Sequence, residues 1–477
     1  MFIRETLPGP SRDQHFFDLW STRLSRRRKI IDEKPHDYFL SSLLHILRGG
    51  LELQRFPTFC AAIVGGSTLL EARPSAEAMC QILNEFDCFA EVKVSSALAF
   101  LMRNSKDGSS LRITRWLSSF IAAWFSLRLL QSKKSDNFTE DVVYETANGR
   151  VSRPTHFAGR TMDLTLFAVT RALDVLVGEL WTQRKLARTA TGQWNATDKL
   201  FTTVADPAIF ASSCALIMWA WVYNPDRLPR SYNKWIKSAA AVDHRLVLAL
   251  RRVRYGEIKY GLETGQAPLL EGMCKDYGLP LEYGDPVKSI PYPCEIVHMG
   301  TGKNCEYHAV SRFVRSFTWA FSTYLPLNLL LTARNPSSKG LKNALKSSAR
   351  SSAFLSTFIA LYYYGICFTR CRVGPRILGT STSARQQIDG GMCIGGGCAL
   401  CGWSVLIENE ARRKELGLFV APRALATLLP RRYLMENQWR ETLAFAASTA
   451  VVFACVHEKP VRVRGVLGKL LNRVLSP

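Results

Sequence analysis

The sequence is poor in acids and lacks any recognisable catalytic frame. In 477 residues, 39 Asp and Glu face 62 Lys and Arg, a net charge of +23. No nucleophile elbow, HExxH, P-loop or paired-carboxylate pattern occurs, so no reaction class is named by motif. Histidine is scarce, and His15, His36, His45, His156, His244 and His457 are scattered. Isolated histidines of this kind read as hydrogen-bonded structural residues. The first 30 residues hold Arg4, Glu5, Arg12, Asp13 and Asp18 but no apolar h-region, which argues against a secretory signal there. The acids also argue against a cleaved mitochondrial presequence. Leu475-Ser476-Pro477 is not the peroxisomal matrix signal.

What is present is clumped hydrophobicity. Four stretches are free of Asp, Glu, Lys and Arg: 207–225, 316–333, 351–369 and 390–407. A bilayer core about 30 Å thick needs roughly 20 helical residues at about 1.5 Å rise each. Soluble helices of that length keep a polar face, so these four read as membrane spans. Shorter apolar runs lie at Phe56–Leu70, Trp116–Leu127, Gly417–Pro430 and Thr442–Val456. Residues 38–53 read as an amphipathic helix and 75–102 as a half-polar one, while 132–158 reads as a polar loop. The expected fold is all-α, a polytopic transmembrane helical bundle.

The bases fall between the apolar runs, as in Arg26-Arg27-Arg28-Lys29, Arg251-Arg252-Val253-Arg254 and the 334–350 segment. That placement fits anionic lipid headgroups at about 1 kcal/mol per base and not a nucleic-acid footprint. If every second-half run crosses, 13 Lys and Arg lie in 334–350, 408–416 and 457–477, against 7 in 370–389 and 431–440. The bias favours a cytosolic C-terminus.

Three segment pairs recur in order. Leu166–Leu176 (LFAVTRALDVL) matches Leu418–Leu428 (LFVAPRALATL) at six of eleven positions. Phe210-Ala211-Ser212-Ser213 matches Phe445-Ala446-Ala447-Ser448, and LSSFIA at 117–122 matches LSTFIA at 355–360. The order argues for an internal duplication, as is common among transporters and related membrane folds. The expected organisation is a polar basic tail over 1–37 and a first membrane half over 38–260. A Gly/Pro/Tyr connector with a Cys/His group follows over 261–309, then a second membrane half with a basic tail over 310–477. The glycine run at 390–407 has no counterpart at the matching place, because Phe56–Leu70 with Gly65-Gly66 lies too early.

Three constellations carry chemistry. In GGMCIGGGCALCGW, Gly391 and Gly395 are spaced i, i+4, with Gly396 and Gly397 beside them. Glycines in an apolar helix let backbones approach in lipid; a phosphate loop would need a preceding strand. Cys393, Cys398 and Cys401 in that run read as small packing residues. The second is Cys294-x3-His298-x6-Cys305-x2-His308. Two thiols and two imidazoles suit tetrahedral zinc, although the spacing is no familiar finger; a disulfide or a plain pre-membrane turn are the alternatives. The third is Arg171, Asp174 and Glu179 in one apolar segment and Arg423 in its repeat. Such charges line a polar path or snorkel to the interface, and Arg171 with Asp174 is an i, i+3 pair.

The blocks CEIVHMGTGKNC and SRFVRSFTWAFSTYLPL (294–326), the Gly-rich run and LIENEARRKELGLFVAPRAL resemble fungal members of the transmembrane protein 135 family. So do FPTFCAAIVGGSTLLEA and LPRSYNKWIKSAAAVDHRLVLALRRVRYGEIKYG in the first half. That family is related to the Tim-type translocase subunits of the mitochondrial inner membrane. The resemblance implies a peroxisomal or, alternatively, mitochondrial membrane protein linked to lipid handling and organelle dynamics. It maps the family's Cys-rich region onto Cys294, His298 and Cys305, and it implies no defined reaction. The expectation is therefore a non-enzymatic protein whose partners are the lipid bilayer, anionic headgroups at basic loops, and copies of itself or other organelle-membrane proteins. No nucleic acid is expected, and no cofactor other than a structural zinc. The competing readings are a channel or carrier using Arg171, Asp174 and Arg423, and a lipid-modifying enzyme using Cys294 and His298.

Overall fold

Helix signals in the sequence are met by local capping. Asn195 and Asp198 form a reciprocal capping box that opens a helix over Ala196–Tyr223, which stops at Asn224-Pro225, where the ring forbids continuation. Ser337 accepts from the Gly340 amide and opens a second long helix, Ser338–Phe368. The coordinates are a computed structural model that describes residues 49, 52, 54–71, 108–133, 135–146, 149–333 and 337–475. The N-terminal tail, most of the 38–53 segment and the 75–102 segment lie outside the described residues.

In chain order the main helices are α1 (Phe56–Glu71), α2 (Gly108–Gln131), α3 (Met162–Ala190), α4 (Ala196–Tyr223), α5 (Arg230–Ala240), α6 (His244–Tyr255) and α7 (Ala267–Asp276). Then come α8 (Cys305–Ala333), α9 (Ser338–Phe368), α10 (Cys393–Cys401), α11 (Glu410–Leu428), α12 (Gln438–Glu458) and α13 (Gly465–Leu475). A π turn, Thr369–Val373, carries α9 on into Gly374–Leu378. A second π turn, Ile388–Met392, joins Thr382–Gln387 to α10.

Among the described residues, four helical runs are long and apolar enough to cross a membrane: Ala196–Tyr223, Ser338–Leu378, Thr382–Ile407 and Met435–Glu458. They fit an integral membrane protein. Three contain stretches expected as spans. The fourth is the run around Thr442–Val456, in place of 316–333. That stretch lies in α8 and carries no charge, but Ser316, Thr318, Ser322, Thr323, Asn328 and Thr332 lower its hydropathy. Freedom from charge is a weaker criterion than net apolarity.

The expected polar loop at 132–158 is instead a hairpin. Strand β1 (Thr139–Thr146) pairs antiparallel with β2 (Gly149–Ala158), and β2 adds a two-residue strand, β3 (Tyr433–Leu434). Thr146 pairs with Gly149, the second residue of an Asn-Gly dipeptide, a short-range hairpin signal.

Among the described residues the two largest apolar cores each draw on both sides of the 261–309 connector. One gathers Phe210, Ile217 and Trp221 of α4 with Tyr362 and Ile366 of α9, Ile394 and Cys398 of α10, and Val420 of α11. The other gathers Phe59 of α1, Leu127 of α2 and Ala172 of α3 with Phe445, Val452 and Phe453 of α12. The closest packed helix pairs include α8 with α9, α2 with α12, α1 with α2, α3 with α12, and α4 with α11. The connector is more ordered than its composition suggests. It has a core of its own, with Ile258, Leu270, Met273, Tyr292 and Ile296 fully or almost fully buried.

Glycine sets the α9–α10 approach. A Cβ on Gly365 would sit 2.7 Å from the Gly396 carbonyl oxygen and 2.8 Å from the Gly397 Cα. A Cβ on Gly397 would sit 2.7 Å from the Tyr362 carbonyl. Gly396 and Gly397 are therefore packing residues, and Gly365 is their partner across the contact. Gly391 and Gly395 are not part of it. A Cβ on Gly391 would meet the Arg254 guanidinium, and one on Gly395 only the edge of Trp219 at 3.9 Å. The i, i+4 spacing marks a face, but the π turn at 388–392 rotates that face away from α9.

Candidate metal centre

The Cys/His group forms where the connector meets the end of α9. Pro293 precedes a one-turn helix, Cys294–Val297, that places Cys294 and His298 on one side. The chain then turns through Gly300 and Gly302, whose φ of 79° and 105° suit glycine. That turn brings the Gly302 carbonyl to His298 Nδ1 at 2.7 Å. Asn304 accepts from the Tyr307 amide at 2.9 Å and opens α8, with Cys305 as its first residue.

Two further thiols arrive from α9 and its π turn. Cys371 Sγ lies 3.5 Å from Cys294 Sγ, and Cys367 Sγ lies 3.2 Å from His298 Nε2. Cys294, Cys305 and Cys371 form one set of donor atoms within 4.8 Å of one another; His298, Cys305 and Cys367 form a second. All five residues belong to one cluster, with Cys305 common to both sets. Every cysteine among the described residues is a free thiol, and 3.5 Å is far beyond a sulfur–sulfur bond of about 2.05 Å.

Sequence spacing had joined Cys294, His298, Cys305 and His308. His308 belongs to neither donor set. Its ring stacks on His298, centroids 4.4 Å apart at 10°, and meets the Tyr363 ring edge-on at 5.5 Å. It is almost wholly buried, and neither ring nitrogen has a hydrogen-bond partner. Burial, then His298 and Arg312, push its pKa down to about 3, so the ring is neutral at physiological pH. Cys367 and Cys371 were missed because they lie more than 60 residues downstream. Their i, i+4 spacing, the same as that of Cys294 and His298, was the available signal.

The electrostatics favour thiolate. The hydrogen bond from Cys371 lowers the Cys294 pKa to about 6, with help from Arg370 and His298 and against the cost of burial. Beside the cluster lies a buried ion pair that joins the two π turns. Arg370 Nε and Nη2 donate to Asp389 at 2.6 and 2.9 Å, and Nη2 also donates to the Tyr292 carbonyl at 2.6 Å. The Tyr260 hydroxyl donates to Asp389 at 2.5 Å. Burial and the Asp389 charge hold the Tyr260 and Tyr292 phenols well above their ordinary range. π turns recur at functional sites; here one carries Arg370 and Cys371, the other Asp389.

The charges of α3 and α11 expected at membrane depth fall into separate places. Asp174 pairs with Arg464 at 3.6 Å rather than with Arg171, and Arg464 also reaches Asp206 at 3.5 Å. Arg171 donates to the Arg464 carbonyl at 3.3 Å and lies over Phe167. Glu179 pairs with Lys459 and Arg462. Arg423 donates to the Phe419 carbonyl and lies against the Phe419 and Tyr232 rings. The charges of α3 are thus neutralised by the segment after α12, and Arg423 belongs to a different cluster.

No protein-family model, no curated protein and no solved structure matches the chain.

Proposed function

We propose that this chain is a non-enzymatic integral protein of an organelle membrane, peroxisomal first and mitochondrial second, acting in lipid homeostasis, translocation or organelle organisation. The observation that carries the membrane part is the set of four apolar helical runs at 196–223, 338–378, 382–407 and 435–458. The organelle and the lipid role rest on the resemblance of the 294–326, Gly-rich and 406–425 segments to the transmembrane protein 135 family. The non-carrier reading draws support from the separation of Arg423 from the Arg171–Asp174–Arg464 group, because a polar path needs its charges to face one cavity.

Duplication of the halves belongs to the same reading. Helix α3 holds the repeat of α11, and α4 the repeat of α12. The contacts are reciprocal: α3 packs on α12, and α4 packs on α11. Exchange of the halves maps one contact onto the other. Helix α1, with Gly65-Gly66, packs on α2 through Ala122, as the glycines of α10 pack on α9. That pairing makes α1 the counterpart of α10 in space, although it precedes α2 in the chain.

The test is localisation of the tagged chain against peroxisomal and mitochondrial markers, with carbonate extraction of the membranes. Co-localisation with peroxisomes and resistance to carbonate are expected. Release by carbonate overturns the membrane reading; retention with secretory-pathway markers overturns the organelle reading.

A further inference from the structure

We propose that the cluster binds one structural zinc ion through Cys294, Cys305, Cys371 and His298. Three features point there together. First, the donors are soft thiols and an imidazole, the set that zinc prefers. Second, the spacing fits: thiolates at about 2.3 Å from a tetrahedral ion stand about 3.8 Å apart, and Cys294 and Cys371 stand at 3.5 Å. Third, the histidine is already oriented as a ligand. With Nδ1–H donating to the Gly302 carbonyl at 2.7 Å, Nε2 keeps its lone pair and faces the Cys367 sulfur, with Cys305 in the same donor set. A backbone acceptor on the far nitrogen is the usual outer partner of a ligating histidine.

Cys305 belongs to both donor sets, so it links His298 to the Cys294–Cys371 pair, and one ion there draws the imidazole from Cys367 onto the three thiolates. Cys367, now bonded to His298 Nε2 at 3.2 Å, remains a buried neighbour. Binding releases the thiol protons of Cys305 and Cys371 to solvent, takes Cys294 as the thiolate, and leaves a closed four-coordinate site. A closed site has no open position for water, which makes the ion structural. Its effect is to fasten the one-turn helix of the connector and the start of α8 to the end of α9. Residues brought together from 294, 305 and 371 are then held by one ion beside the apolar core around Met273 and Ile296.

The full chain is purified in mild detergent without chelator, and zinc is measured by plasma mass spectrometry. About one zinc per chain is expected, falling at least about tenfold in Cys305→Ser and Cys371→Ser and unchanged in His308→Phe. Since a ligand variant can fail to fold, the wild type is also treated with a maleimide before and after zinc chelation, and modified peptides are mapped. Cys294, Cys305 and Cys371 are expected to react only after chelation. Zinc-free wild-type protein, a Cys294–Cys371 disulfide, or zinc lost in His308→Phe but kept in Cys371→Ser each overturns the assignment.

Discussion

Replacing Asp389 by Asn removes one charge from a pair in which both side chains are at most 5% exposed. The amide has the shape of the carboxylate but leaves the Arg370 guanidinium without a counter-charge. Stranding one member of a buried pair costs about 3–5 kcal/mol, and Arg370→Met strands Asp389 at a similar cost. The cycle takes Asp389→Leu as its own single; both charges removed together, as Arg370→Met with Asp389→Leu, leave no buried charge. What persists is the orphaned Tyr260 hydroxyl and the Tyr292 carbonyl, each at about 1–3 kcal/mol. Tyr260→Phe added to the double variant relieves the first of these. The double variant is therefore expected to lose less than the sum of the singles by at least about 2 kcal/mol. Equilibrium unfolding by dodecyl sulfate in mixed micelles, followed by tryptophan fluorescence, measures each arm of the cycle. Additive losses, with coupling under about 0.5 kcal/mol, refute the pair as a unit that joins the two π turns.

Glycine contacts give a second, paired expectation: Gly397→Ala costs about 1–3 kcal/mol by overpacking α9, whereas Gly395→Ala, with Trp219 at 3.9 Å, is neutral in the same unfolding assay. Asp243 caps α6 through the Arg245 amide at 2.9 Å and pairs with its guanidinium at 2.7 Å; since Asn caps as well as Asp, Asp243→Asn loses the ion pair alone, at about 1 kcal/mol or less at neutral pH. The Arg245 hydrogen bonds hold the Asp243 pKa below its ordinary value. Its stabilisation is therefore full above the unfolded carboxylate pKa and is lost as pH falls through the lower folded value. A pH titration of stability in wild type and Asp243→Asn is expected to converge in acid and diverge above about pH 4. Arg464→Ala leaves Asp174 and Asp206 without their shared cation; since Arg464 is 37% exposed, the expected loss is only about 1 kcal/mol or less, read in the same unfolding assay.

The apolar stretches at 207–225, 351–369 and 390–407 were legible because a span needs length and apolarity in one continuous segment. The stretch at 316–333 misled because hydroxyls and an amide carry no charge yet cost transfer energy. The hairpin at 139–158 was hidden by its polar content, although the Asn148-Gly149 dipeptide was its mark. Cys294, His298 and Cys305 were legible because they are close in sequence. Proximity also drew in His308, which the start of α8 turns onto the ring of His298 and away from the sulfurs. Cys367 and Cys371 depend on how α8 folds back along α9, and no local pattern encodes that. The same holds for Arg370 and Asp389: one follows the apolar run 351–369 and the other precedes 390–407, and only the packing of two π turns makes them partners.

The position of that ion pair bears on how the bundle is held. In lipid, apolar contact does not drive helices together, because acyl chains are as apolar as leucine. Close backbone contact and polar pairs must do so instead. Helices α9 and α10 meet through Gly365, Gly396 and Gly397 along their length, and through Arg370 and Asp389 at one end. Tyr292, whose carbonyl accepts from Arg370, stands two residues before Cys294, and Cys371 follows Arg370 directly. The glycine contact, the ion pair and the thiol cluster are therefore a single line of fixation running from the helix pair to the connector. A variant that loosens the ion pair is expected to expose the thiols. Asp389→Asn should therefore raise the maleimide reactivity of Cys371 without touching a sulfur ligand. If its reactivity stays that of the wild type while stability falls, the pair and the cluster are independent, and the connector is held by its own core around Met273 and Ile296.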